Sequence, residues 1–261
     1  MASWLALRRH WALAGLAMAI GILIKLTAIY GFGAILLLFL LQRTAFWIRD
    51  RRIPLRELRG PVVFTAVFLV VAVGGLYALD SRFSSYTSPV AHLQRMISYG
   101  AALAKPVDNT GFCPGNDSRP WQWPFNECQI PYLRVDVTVH QGDKVVTSFP
   151  KIDFRGAINP LLTGTMVIAG LFATWLAWRR RNRLALWAVA WGAANWLPYV
   201  LLALVSNRIM YIYYFLPVMP AIAAAVALLL TRARLPRLVT VGYLAAYALG
   251  FLAYFPFRQI P

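Results

Sequence analysis

The sequence predicts an all-α polytopic membrane protein with one long polar loop outside the cytoplasm. Apolar residues make up 60% of the 261 residues, and charged residues only 13%. The apolar residues fall in runs suited to helices that cross a bilayer core of about 30 Å. More than half of the 26 Lys and Arg lie between these runs, at 8–9, 43–59, 179–183 and 232–237. This distribution is typical of cytoplasmic loops, so the net charge of +17 predicts contact with membrane lipid and does not call for nucleic acid.

Lys25 interrupts the first apolar run, which extends from Trp11 to Leu41. As one helix the run would measure about 46 Å and would bury the charge of Lys25 near the bilayer midplane, where charges are expensive. Arginines precede and follow the run, and an even number of crossings keeps both groups cytoplasmic. We therefore predict a tight helical hairpin that turns at Lys25 on the outer surface. One long tilted helix with a snorkelling Lys25 is the alternative.

The remaining elements follow in order along the chain. Pro61 is predicted to open a helix that reaches Leu79 on the outer side. After the outer loop, four more apolar helices are predicted at 161–178, 184–205, 209–230 and 238–257. The resulting seven crossings place the N-terminus in the cytoplasm and the C-terminus outside. The chain then divides into N-terminal membrane helices, an extracytoplasmic loop and a C-terminal four-helix bundle, at 1–79, 80–158 and 159–261.

Two elements are predicted inside the outer loop. The Ser88-Pro89 pair supplies a capping hydroxyl and a proline at the first helical position. Apolar residues follow at helical spacing, which is typical of an amphipathic helix on a membrane surface. Farther along, apolar and polar residues alternate over 133–139 and again over 145–149, around a Gln-Gly-Asp turn. This pattern predicts a small β-hairpin.

Cys113 and Cys128 are the only cysteines, and both lie in the predicted outer loop. An oxidising compartment favours a disulfide between them. Two cysteines without neighbouring histidines make a poor zinc site, so we predict a structural bridge and no metal.

Several polar and aromatic residues are candidates for binding at the outer face. The guanidinium of Arg208 can bind a phosphate bidentately, and Lys25 would lie at the same face as a point charge. Tyr213 belongs to a group of tyrosines beside Arg208. Trp121 and Trp123 offer aromatic faces to a sugar ring. The alternative is anchoring of these residues in the lipid headgroup region.

Five segments carry a family resemblance in a fixed order. They are Gly21-x-x-x-Lys25-x-Thr27-x-x-Tyr30, His92-Leu93-x-x-Met96-x-x-Tyr99, Ser118-Arg119-Pro120-Trp121-x-Trp123-Pro124, Asn159-Pro160, and Arg208-x-x-x-x-Tyr213-Tyr214-x-x-Pro217-x-x-Pro220. Together they resemble the C-terminal part of the protein O-mannosyltransferases, which are GT-C-fold glycosyltransferases dependent on a phospholipid carrier. In the tryptophan segment one extra residue precedes the first tryptophan.

The resemblance implies a reaction and roles for residues. Mannose or a similar sugar would pass from dolichyl or another polyprenyl phosphate to a protein Ser or Thr, or to a lipid-linked acceptor. Lys25 and Arg208 would bind the donor phosphate. The sugar or acceptor pocket would be lined by His92, Tyr99, Trp121, Trp123 and Tyr213. No cofactor is implied beyond the donor lipid itself.

The family's acidic pair lies in a first outer loop that has no counterpart in this chain. Seven of the nine acids fall in the predicted outer loop, but none forms an adjacent pair, so no catalytic residue is assigned here. We expect a fragment, a truncated product or one half of a split enzyme that needs an N-terminal half. The lack of a large domain in the central loop favours a prokaryotic plasma membrane. The alternatives are a non-catalytic lipid-sugar-binding subunit or an inactive remnant, and, less favoured, a transporter.

Overall fold

The computed structural model describes residues 1–50, 55–83, 86, 88–103, 117–142, 144–206 and 208–253. Its α-helices are α1 (Ala2–Leu7), α2 (Trp11–Ile24), α3 (Ile29–Asp50), α4 (Leu55–Phe83), α5 (Pro89–Ala102), α6 (Pro160–Arg180), α7 (Arg183–Val205), α8 (Met219–Arg232) and α9 (Arg237–Ala253). Its strands are β1 (Ile130–Gln141) and β2 (Lys144–Gly156).

Five segments within the described residues are long and apolar enough to cross a membrane. They are Leu26–Thr44, Leu55–Phe83, Pro160–Arg180, Arg183–Val205 and Ile212–Arg232. This confirms the predicted class of helical membrane protein. Two of the seven predicted crossings correspond to α2 and α9, which are apolar but only 14 and 17 residues long. Helix α2 would measure about 21 Å, less than the thickness of a bilayer core.

The chain folds as two units, residues 1–104 with 176–198 and residues 105–175 with 199–261. In the first unit, α1, α2, α3 and α4 share an apolar core that includes Met18, Ile35 and Phe64. At Gly15 a Cβ atom would lie 2.5 Å from the carbonyl oxygen of Phe64. The backbones of α2 and α4 therefore approach closely, a contact that only a residue without a side chain permits.

The first apolar run breaks at Lys25. Helix α2 ends at Ile24, Lys25 is extended with φ −152° and ψ 124°, and a 3₁₀ turn at Leu26–Ala28 leads into α3. The ring centroids of Trp11 and Phe39 are 6.2 Å apart. Because Trp11 and Phe39 lie equally far from Lys25 along the chain, α2 and α3 run antiparallel.

Helix α4 differs from the prediction at its start. It runs through Pro61 and begins at Leu55, whereas the sequence predicted that Pro61 would open it. The proline removes one backbone hydrogen bond from the helix. The first turns are held by other contacts, because Trp11 packs against Gly60 and Glu57 forms an ion pair with Arg43 at 3.0 Å.

The predicted outer loop contains both expected kinds of element. Strands β1 and β2 pair antiparallel, from Ile130 opposite Gly156 to Gln141 opposite Lys144, and are longer than the sequence pattern indicates. Helix α5 begins after Ser88, whose Oγ accepts a hydrogen bond from the Ala91 amide at 3.2 Å. Its location on a membrane surface stays a prediction.

Candidate lipid-phosphate site

A buried tryptophan organises the candidate site in the second unit. Trp123 begins a 3₁₀ turn, is 0% exposed, and donates a hydrogen bond from Nε1 to the Ser118 Oγ at 2.8 Å. Its ring packs within 5.6–6.4 Å, centroid to centroid, of the rings of Tyr199, Phe215 and Tyr214. With no exposed surface and three packed rings, Trp123 holds this segment in place. Its role in a sugar or acceptor pocket stays a prediction.

A backbone hydrogen bond joins two segments of the site that are far apart in sequence. The Ser118 amide donates to the Met210 carbonyl at 2.7 Å, and Met210 is 1% exposed. The half-buried Arg208 lies two residues before this bond, in a β-bridge after α7. The bond therefore ties the chain beside Arg208 to the start of the tryptophan segment.

The helix predicted to begin at residue 209 is shorter than expected. A 3₁₀ helix occupies Ile212–Val218, and α8 begins only at Met219. Pro217 and Pro220 lack the amide hydrogens that a continuous α-helix would use, which accounts for the 3₁₀ geometry before α8. Arg208 therefore lies in a β-bridge between α7 and the 3₁₀ helix and not at a helix end.

Arg119 is a second cation of this site, and the residues predicted from the sequence did not include it. Its Nη1 donates to the Ala203 carbonyl at 3.1 Å, near the end of α7. Its guanidinium carbon lies 5.9 Å from the ring centroid of Trp121. Trp121 is 45% exposed, so its ring is available to a ligand. The feature of the sequence that could have indicated Arg119 is its position between Ser118 and the first tryptophan of this segment.

Tyrosine rings extend the site beyond Arg208. Tyr213 is half-buried, stacks on Tyr211 at 5.5 Å and packs against Tyr214 at 4.5 Å, centroid to centroid. Tyr214 in turn stacks on Tyr199 at 5.0 Å. These ring contacts connect Tyr213 to the buried rings that surround Trp123.

One acid is buried in the same region. Asp117 is 4% exposed and directly precedes Ser118 in the chain. In the sequence it is one of seven acids of the predicted outer loop, and nothing distinguishes it from the others. Asp80 is equally buried, but of these two acids only Asp117 belongs to the unit that holds Arg119 and Arg208.

The other predicted site residues lie in the first unit. Lys25 is exposed at the turn between α2 and α3. The Nδ1 of His92 lies 2.7 Å from the buried Asp80 Oδ1, and its ring stacks on Tyr86 at 4.1 Å. Tyr99 is 62% exposed on α5. Trp121, Trp123, Arg208 and Tyr213 thus belong to the second unit, whereas Lys25, His92 and Tyr99 belong to the first.

The structure describes one of the two cysteines of the predicted disulfide. Cys128 is disulfide-bonded and 8% exposed. Its predicted partner, Cys113, lies outside the described residues. Two residues before Cys128, the side-chain amide of Asn126 pairs with the backbone of Ile158 through hydrogen bonds of 2.6 and 2.7 Å. This pairing connects the 3₁₀ turn at Trp123–Phe125, the tryptophan turn, to the chain that enters α6.

The two joined segments carry two arginines, Arg119 and Arg208, and the exposed ring of Trp121. Guanidinium groups bind phosphate oxygens through charge-assisted hydrogen bonds, and aromatic faces pack on apolar faces of ligands. Among the described residues, no group of three or more His, Cys, Asp or Glu is placed to hold a metal ion. No family model, curated protein or solved structure matches the chain.

Proposed function

We propose that this protein binds a polyprenyl-phosphate-linked sugar at the extracytoplasmic face of the membrane. With a second chain that supplies a carboxylate, it would transfer mannose or a similar sugar to a protein hydroxyl or another extracytoplasmic acceptor. The observation that carries the proposal is the hydrogen bond between Ser118 and Met210. It joins the segment that bears Arg119 and Trp121 to the segment that bears Arg208.

The leaving group in such a transfer is a lipid phosphate, on which negative charge develops as the sugar departs. Arg208 would contact the phosphate oxygens, because a planar guanidinium matches them bidentately. Stabilising charge that appears only in the transition state accelerates the reaction itself. Trp121, with Arg119 over its ring, would pack against the sugar.

Sugar transfer also needs a base to accept the proton of the acceptor hydroxyl. The proposal assigns donor binding to this chain and the base to a partner, because the resemblance provides no counterpart here for the family's acidic pair. A non-catalytic lipid-sugar-binding subunit is the second candidate function. It would use the same arginines and the same aromatic rings. Donor binding therefore supports both candidate functions, and only a measurement of sugar transfer distinguishes between them.

Donor binding is tested with the purified protein in lipid nanodiscs and polyprenyl-phosphate mannose as the probe. Arg208→Ala should weaken binding about 10- to 150-fold, the range expected when a hydrogen bond to a charged group is lost. Arg208→Lys should restore only part of the affinity. Arg95→Ala is the matched control, since Arg95 is an exposed arginine on α5, in the same predicted outer loop. Equal losses of donor affinity in the two alanine variants would show that Arg208 serves as an anchor in the lipid headgroup region and not as a donor ligand.

Transfer is tested separately, with the chain alone and with an acid-bearing partner. The proposal expects no transfer by the chain alone. If the isolated chain transfers sugar, one of its own acids is the base, and Asp117→Asn then identifies whether the buried carboxylate supplies it. Donor binding without transfer under both conditions would favour the non-catalytic subunit.

A further inference from the structure

A second cation-rich site belongs to the first unit and shares no residue with the candidate lipid-phosphate site. A cavity of about 1090 Å³ is bounded by α1, α2, α3, α4 and the turn between α6 and α7. The described residues around it include six arginines: Arg9, Arg43, Arg56, Arg59, Arg181 and Arg183. Among the described residues that line the cavity, Glu57 is the one carboxylate, and it forms an ion pair with Arg43. The cavity therefore carries a large excess of positive charge.

The inner wall of the same cavity is apolar. It includes Trp11, Ile35, Leu38, Phe39 and Val63. Ile35, Leu38 and Phe39 are 2%, 4% and 7% exposed, whereas most of the arginines are exposed. A cavity of this size reaches the upper range of small-molecule sites, about 300–1,000 Å³, and far exceeds the needs of an inorganic anion. The arrangement fits an amphiphile with an anionic head and an apolar tail.

Two of the arginines occupy backbone positions that favour glycine. Arg9 has φ 62° and Arg181 has φ 48°, both in the left-handed region. At the end of α1, the His10 amide donates to the Leu5 carbonyl and the Arg9 amide to the Ala6 carbonyl, each at 2.9 Å. This is a helix ending at which glycine is the usual residue. Replacing either arginine by glycine therefore removes the guanidinium group without straining the backbone.

We propose that this cavity binds the headgroup of an anionic phospholipid from the cytoplasmic leaflet. The phosphodiester would contact the guanidinium groups, and an acyl chain would lie along the apolar wall. All six arginines belong to the segments that the sequence predicts to be cytoplasmic, where anionic lipid headgroups are the natural partners of basic pockets. This site does not depend on the proposed function at the outer face.

The left-handed arginines allow a test that separates binding from folding. In Arg9→Gly and Arg181→Gly the side chain is lost while the backbone geometry becomes easier to adopt. Arg234→Gly is the matched control, since Arg234 also has a left-handed φ of 55° and a predicted cytoplasmic position but does not line the cavity. Each protein is reconstituted in vesicles of phosphatidylcholine, with or without phosphatidylglycerol. Retained lipid is then measured by native mass spectrometry.

Wild type and Arg234→Gly should retain phosphatidylglycerol in preference to phosphatidylcholine. Arg9→Gly and Arg181→Gly should each weaken this retention about fivefold, the factor expected for one basic residue at an anionic surface. Arg9→Lys keeps the charge and should retain most of the lipid. If Arg9→Gly fails to fold, Arg9→Asn serves in its place, because asparagine tolerates the left-handed region.

Two results would overturn the proposal. One is equal retention of phosphatidylglycerol in the cavity variants and in Arg234→Gly. The other is displacement of the lipid by inorganic phosphate at equal concentration, which would assign the arginines to a soluble anion and leave the apolar wall unused.

Discussion

Truncation of Trp123 should be among the most damaging single changes in the second unit. Trp123→Ala removes a ring that is 0% exposed and packs against three other aromatic rings. Removing a buried aromatic side chain costs about 3–5 kcal/mol. About 1 kcal/mol of this is the hydrogen bond that the indole donates to Ser118. Trp123→Phe keeps most of the packing and should lose about 1–2 kcal/mol.

Trp121 provides the matched control, because it is the same residue type two positions away. It is 45% exposed, so its truncation should cost no more than about 1 kcal/mol, mostly its contact with Arg119. Stability is measured by unfolding of each variant in the same detergent. Hydrogen–deuterium exchange of the segment around Arg208 should rise in Trp123→Ala and stay unchanged in Trp121→Ala, because the Ser118–Met210 hydrogen bond depends on the tryptophan turn.

Equal destabilisation of Trp123→Ala and Trp121→Ala would refute this reasoning. It would mean that the aromatic cluster does not hold the tryptophan turn. Unchanged exchange around Arg208 in Trp123→Ala would show that Arg208 is held in place independently of the turn.

Three further predictions concern packing, topology and the bridge. Gly15→Ala should lower the free energy of unfolding by about 1–3 kcal/mol, because its Cβ would meet the backbone of α4. Gly74→Ala has open space at its Cβ and should be neutral or slightly stabilising in the same unfolding assay. In a background without the native cysteines, a membrane-impermeant thiol probe added outside should label His140→Cys but not Arg181→Cys. Labelling of Arg181→Cys would contradict the positive-inside topology. Proteolysis without reductant should yield the Cys128 peptide linked to the peptide of the other cysteine, and free thiols on both would rule this pairing out.

The positions of most elements could be predicted from local properties of the sequence. Hydropathy indicated the long helices, the charge at Lys25 indicated the break between α2 and α3, and the capping pair at Ser88 indicated the start of α5. Period-two alternation indicated β1 and β2. Each of these signals arises within a short stretch of chain, since helix length, capping and strand pairing across a tight turn involve residues close in sequence.

Local signals were less informative where packing overrides a local rule. Pro61 looked like a helix start because proline fits a first turn, yet contacts of α4 with Trp11 and Arg43 support helix on both sides of it. The segment after Arg208 looked like continuous apolar helix, and its prolines impose 3₁₀ geometry first. Hydropathy reports that a segment is apolar but does not report its backbone geometry.

Only the tertiary structure decided the surroundings of individual candidate site residues. Trp121 and Trp123 are indistinguishable as sequence, but one is half exposed and the other fully buried. Arg119 and the cavity arginines became candidates through contacts between segments far apart along the chain, such as that of Ser118 with Met210. No periodicity encodes such contacts, because they depend on how helices and turns pack and not on the order of residues within any one of them.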